Sequence, residues 1–396
     1  MTSANSPAQI TLSFSRSADI IAVASGERYP WAQTALKLSG FQRRHDGTYA
    51  LAPGDPPTTQ ATMASLVRTA DRHRSTVKIS GRFYLGDIAE GIATHLPGEW
   101  SATVEVYSHP LWQEDLVPWL WDAGELSEAI RTTRVPYAAV LTNGAGVDLL
   151  LVERPAHHQG YVVGALASNG FDDNFEDPHA PSSIVVPGAA QSSAHAITNR
   201  FLPAYRQAVH TRRTAAVVSA LDRIREEVRV REVIKESGRY SDGSSLASEG
   251  LPGAEEAFAD LSWFAFRDVL LHAPAVLERC WPADSAWPQD AAALDRLEGA
   301  LARGQAILSE WTTQLKGLRT TSRTLGHEST GAGAKAERDA RMQPVIETWL
   351  ADGDAFLRQA RVATPATSSA LPVRGRVVAA LPLALPAPSG PAPARR

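Results

Sequence analysis

A chain of 396 residues with 44% hydrophobic and 21% charged residues has the composition of a globular protein, and is long enough for two domains or one large domain with additions. Its formal net charge of −4 argues against a whole-chain polyanion binder, because sequence-independent nucleic-acid affinity needs clustered Lys and Arg; a local basic patch stays compatible with it. The single cysteine, Cys280, excludes a disulfide within the chain and reads as a small buried apolar residue beside Trp281.

In chain order, MTSANSPAQITLSFSR has no basic segment followed by an apolar core, so no secretory signal is expected. ITLSF (Ile10 to Phe14) alternates apolar and polar residues, and DIIAVAS follows as a second strand-like run. WAQTALKLSG suits a short helix closed near Gly40. FQRRHDGTYAL reads as two short strands about Asp46-Gly47, since glycine supplies the positive φ of a tight hairpin. PGDPP is a loop. Thr58 or Thr59 then caps a helix through Arg74, with Met63, Leu66, Val67 and Ala70 on one face. TVKI (Thr76 to Ile79) is strand-like, DIAEGIATHL a short helix, and SATVEVYS (Ser101 to Ser108) a strand.

HPLWQEDLVPWLWD (His109 to Asp122) places Trp112, Leu116 and Trp119 on one helical face. Trp119 and Trp121 cannot share a face of a regular helix, so one of them is a candidate contact for a partner. The clearest β signal runs from Tyr137 to Ala167, where strand-like runs alternate with turn clusters; it predicts a three-stranded antiparallel meander over 137–167. SIVVP adds a strand. From about Gln191 the pattern turns helical, with Val217, Leu221, Ile224 and Val228 along one face. Further helices are expected near 254–279, 290–321 and 335–361, separated by polar loops at 238–253 and at TLGHESTGAGA.

The expected fold class is α+β: a mixed α/β domain over 1–190 carrying the meander, a helical domain over 191–362, and a disordered Pro/Ala-rich tail over 363–396. The apolar run from Val377 is too short and too interrupted by proline to span a membrane. The expected location is the cytoplasm, with no membrane partner.

FDDNFEDPHAP (Phe171 to Pro181) holds the residue types of a metal site or an acid–base catalyst. Its spacing lacks the glycine and the later glutamate of a calcium loop and the paired ligands of a zinc site, so no metal and no cofactor are implied. Asp, Asn and Pro are also turn formers. Asp172, Asp173, Asp177, His179 and His195 remain the candidate catalytic set should the fold converge them. On the helix following Gln191, Arg223, Arg225 and Arg229 belong to an arginine-rich stretch over 206–231 that could face phosphate. Interleaved acids, including a Glu227–Arg231 pair at favourable spacing, point to a solvated or helix-pairing face instead. STGAGAKAER lacks the phosphate-loop spacing and reads as a linker; NGAG is a hairpin loop.

LKLSGFQRRHDGTYALAP, together with the segment from YAAVLTNGAGVDLLLVERP to FLPAYRQAV, resembles uncharacterised proteins of actinobacterial plasmids and integrative mobile elements. The resemblance implies an accessory-gene setting and no activity. The functional expectation is a non-enzymatic accessory protein that binds a macromolecular partner or itself. The alternatives are an enzyme with an Asp/His pocket near 171–195 and a DNA-associated factor using the helix over 206–231.

Overall fold

Two separate sheets and a helical bundle make up the computed structural model, which describes residues 8–157, 159–167, 171, 174, 176–240, 245, 251–278, 288–321 and 328–363. The first sheet contains β1 (Ala8–Phe14), β2 (Ile20–Ser25), β3 (Gln42–Arg43), β4 (Tyr49–Leu51) and β5 (Ser75–Phe83), in the order β3-β4-β2-β1-β5. Only β1 and β5 run parallel, because a helix carries the chain back between β4 and β5. Alternation along β1 and β2 sends Ile10, Leu12, Ala22 and Ala24 to one face, where Leu36 of α1 (Tyr29–Leu38) and Leu66 of α2 (Pro56–Arg72) cover them.

Asp55, and neither Thr58 nor Thr59, caps α2: its carboxylate accepts the Thr58 amide at 3.2 Å. Pro56 and Pro57 fill the first helical positions, where a missing N–H is harmless, so the cap moves ahead of them. The helix also ends two residues earlier than expected. Arg74 turns into the left-handed region (φ 51), its amide on the Asp71 carbonyl at 3.0 Å, and leads into β5 at Ser75. The hairpin at Gly47 (φ +84) forms as expected.

β6 (Trp100–Val106), β7 (Leu120–Trp121), β8 (Tyr137–Asn143), β9 (Asp148–Glu153), β10 (Tyr161–Leu166) and β11 (Ile184–Val186) form the second, wholly antiparallel sheet. Its order is β11-β10-β9-β8-β6, with β7 beside β10. The meander is β8-β9-β10. Both of its faces are buried: Leu149, Leu151 and Val163 face the core shared with α3 (Leu85–His95), while Leu150, Val152 and Val162 pack with Leu126 and Ile130 of α5 (Glu125–Thr132).

HPLWQEDLVPWLWD does not form the single helix expected. It breaks into α4 (Pro110–Glu114), a 3₁₀ turn over Val117–Trp119, and β7. Pro118 cannot donate to an α-helical ladder, and pairing of Trp121 with Ala165 satisfies the backbone as strand instead.

Beyond β11, α6 (Ala190–Ala196) continues through a π turn over Ile197–Phe201 into α7 (Leu202–Ser237). Pro203, which has no N–H for the ladder, follows that widened turn. At 36 residues, or about 54 Å, α7 reaches two cores. Tyr205 and Val209 pack with the second sheet, and Val217, Leu221 and Ile224 pack in the bundle with α8 (Leu251–Leu277), α9 (Ala291–Thr321) and α10 (Glu328–Val362). Gly353 lets α10 approach α7: a Cβ there would lie 2.9 Å from Leu221 Cδ1.

STGAGAKAER is part of α10, not a linker. Arg338 explains the difference. Its buried guanidinium lies 4.7 Å from the ring centres of both Trp263 and Trp311 and pairs with Asp339 at 2.5 Å, holding that turn against α8 and α9. Such contacts outweigh the roughly 1 kcal/mol that each helical glycine costs. Cys280 and nearly all of the expected tail lie outside the described residues. Among the described residues no helix is long and apolar enough to cross a membrane.

Candidate interaction surface

Asp172 and Asp173 of FDDNFEDPHAP lie outside the described residues. Asp177 is the hub of the remainder. Its carboxylate accepts the Trp121 indole N–H at 2.7 Å, the Arg212 guanidinium at 2.7 Å and the His179 backbone amide at 2.9 Å. Arg212, from α7, also donates to Asn174 Oδ1 at 2.9 Å and lies 4.1 Å from the centre of the Phe171 ring. The two charged side chains are 6% and 14% exposed. A carboxylate so fully engaged is a fastener between the loop and α7, since its acceptor positions are already occupied.

Among the described members of the catalytic set, neither the His179 ring nor the His195 ring bonds to Asp177. His179 meets Asp177 through its main chain and not its ring. His195 is exposed on α6, and its ring partner is Asn199 one helical turn on, at 3.1 Å. Among the described residues no group of three or more His, Cys, Asp and Glu could hold a metal ion.

Of the two tryptophans nominated for a partner, Trp119 is 65% exposed and Trp121 is fully buried. Trp121 is therefore withdrawn as a contact: β7 carries its ring into the core between Phe171 and Tyr205, and its N–H is held by Asp177. Nor do the arginines of α7 form a phosphate-facing stripe. Arg223 pairs with Asp268 of α8, Arg225 with Asp222 and with Asp354 of α10, and Arg229 with Glu226. Arg231 pairs with Glu255 across the helix interface and not with Glu227, because α8 brings that carboxylate to 2.9 Å.

The first sheet presents a different surface. β5 is its terminal strand, bonded to β1 alone. The register sets Leu12 beside Ile79 and Phe14 beside Phe83, so these side chains continue the apolar face that starts with Ile10. Helices cover Ile10 and Leu12; Ile79 is 72%, Phe83 58% and Phe14 53% exposed. Arg68, Arg72, Arg74 and Lys78 are exposed along α2 and β5, and none makes an ion pair with the described residues. Trp31, 51% exposed, stacks on His73 at 5.6 Å where α2 gives way to β5.

Arg82, on the same strand, turns inward and anchors it. It donates to the Gly160 carbonyl at 2.8 Å, to those of Arg154 and His157, and lies over the Tyr161 ring. Glu153, 3.9 Å from Arg82, accepts the Tyr137 hydroxyl at 2.7 Å. Burial, reinforced by Glu153, pushes that phenol well above its ordinary pKa, so it acts as a hydrogen-bond donor. On the other flank, the Tyr84 amide bonds the Phe14 carbonyl at 2.8 Å and its hydroxyl donates to Asp46 at 3.0 Å. The edge is thus held rigid at the end that carries its aromatic residues.

No family model, curated protein or solved structure matches this chain. The surface has only its own chemistry to identify it. One signal in the sequence pointed to it: RTADRHRSTVKISGR, over 68–82, holds five Lys and Arg against one acid in a chain with a net charge of −4.

Proposed function

We propose that the chain is a non-enzymatic accessory protein that binds a macromolecular partner, with the β5 edge as the docking surface. The observation that carries this reading is the alignment of Ile79 and Phe83 on the edge strand β5 with Phe14 on the neighbouring β1, an edge to which no other strand pairs among the described residues. Exposed apolar side chains gathered beside open backbone groups are costly to leave in water and mark interaction sites. The accessory-gene setting suggested by LKLSGFQRRHDGTYALAP is in keeping with a binding role.

A photo-crosslinking amino acid in place of Phe83, in the chain expressed in its own cells, should give a discrete macromolecular adduct. The same group in place of Arg303, exposed on α9, should not. No adduct at Phe83, or the same adducts from both positions, overturns the reading. Size-exclusion chromatography with light scattering tests whether the partner is a second copy; a monomer throughout the micromolar range removes that form of it.

A further inference from the structure

We infer that the occupant of this edge is an acidic, extended segment of a protein partner, which adds to the first sheet as a strand beside β5. The inference rests on the reading that the β5 edge is the docking surface, and adds the chemistry of what docks. β5 is nine residues long, STVKISGRF, with no proline to interrupt its backbone donors. At about 3.3 Å per residue the stretch Ser75–Ile79, which pairs with β1 in unbroken register, offers a ladder roughly 16 Å long, and the register shifts between Ile79 and Phe83. Only β1 uses its other side.

The charges on the edge choose among occupants. Lys78 sits opposite Thr11 in the register, on the face away from Leu12 and Ile79. A second β5 pairing antiparallel about Ile79 would set each Lys78 opposite a Ser80 and place the two lysines diagonally on one face, within reach of each other's long side chains and with no acid between them. Lysine on an open edge is a common guard against self-association for this reason. A strand carrying Asp or Glu on that face meets Lys78 with opposite charge, and Arg74 and Arg72 continue the attraction past the start of β5. Residues 8–83 hold ten Lys and Arg against five Asp and Glu, so an acidic segment approaches a surface of opposite sign. On the other face, Ile79 and Phe83 call for apolar residues at alternate positions, the period of an added strand.

A single-stranded nucleic acid could use the same cations and stack on Trp31. It would leave the row of backbone N–H and C=O groups of β5 unpaired and Ile79 uncovered, which favours the peptide. Because Arg82 already ties β5 to the second sheet, little ordering is needed when a strand adds.

The test uses the full chain and fluorescently labelled probes read by anisotropy. One probe is a nine-residue peptide of alternating glutamate and valine; the others replace glutamate with lysine, replace the valines with proline, or are oligothymidylate. The glutamate–valine peptide should bind, and the lysine and proline versions should bind weaker by about tenfold or more. Lys78→Glu combined with Arg74→Gly should weaken it by about tenfold. Glycine suits the left-handed conformation at 74, so that change removes charge without strain. Lys78→Gln, a milder change, should give a smaller loss in the same direction, and β5 amides should gain hydrogen-exchange protection when the peptide binds. Equal binding of the proline peptide, equal binding of the lysine peptide, tighter binding of oligothymidylate, or a wild-type dimer abolished by Ile79→Pro each overturns the inference. A Phe83 adduct in cells with no binding of the acidic peptide overturns this inference alone. Peptide binding with no adduct overturns the proposed function, and the occupant inferred from it falls with it.

Discussion

On the helical bundle, Arg223, Arg225, Arg229 and Arg231 each meet a carboxylate, three of them one from a neighbouring helix. Along α2 and β5, Arg68, Arg72, Arg74 and Lys78 meet none among the described residues. Both regions are rich in cations, yet their surroundings give those cations different work. In the bundle, helices packed side by side offer α7 acids from α8 and α10. At the sheet edge no further strand pairs with β5 among the described residues, and its Lys78 is exposed. The stretch with most arginines is therefore internally neutralised, and a quieter one is available to a partner.

The largest effect is expected from removing the carboxylate that neutralises an arginine of α7. Asp177→Ala leaves the Arg212 guanidinium buried without its carboxylate, and should cost about 3–5 kcal/mol of stability in urea unfolding. A loss below about 1 kcal/mol would show that the pair is not the fastener described. Arg338→Ala removes a buried cation from between Trp263 and Trp311. It should cost about 2 kcal/mol or more, accompanied by a change in tryptophan fluorescence.

Acid unfolding tests the β3–β4 hairpin, whose Asp46 accepts the Tyr84 hydroxyl. Burial raises the Asp46 carboxyl, but hydrogen bonds from the Thr48 hydroxyl and amide, with Arg44 and Tyr84, outweigh it and hold the group below its ordinary pKa. A depressed folded-state pKa means that its stabilisation is complete above the ordinary Asp range and is lost as pH falls through the depressed value. Asp46→Asn should flatten that part of the acid limb and leave neutral-to-alkaline stability independent of pH at this site. The smallest effects separate the two surfaces most cleanly. Arg229→Ala and Lys78→Ala should each change stability by less than about 0.5 kcal/mol, and only Lys78→Ala should weaken binding of an acidic strand.

Much of the fold was legible because local signals agreed. In the meander, near-continuous apolar runs alternate with turns such as NGAG, where Asn143 Oδ1 accepts the amides of Ala145 and Val147. The apolar spacing of Val217, Leu221 and Ile224 marked the buried face of α7. The candidate sites were less legible. FDDNFEDPHAP read as a turn or a site of chemistry, and neither reading reaches Arg212, which lies on a different element 35 positions beyond Asp177. β5 read as four residues and is nine, because an edge strand need not bury its later positions and so shows little alternation.

What the sequence determined by itself was the meander, the first hairpin and the buried face of α7, since periodicity, proline and glycine act over a few residues. The tertiary structure alone decided which charged residues neutralise one another and which strand is left at an edge. Those outcomes depend on which distant segments become neighbours, and a carboxylate cancels an arginine only when packing brings the two within a few ångströms.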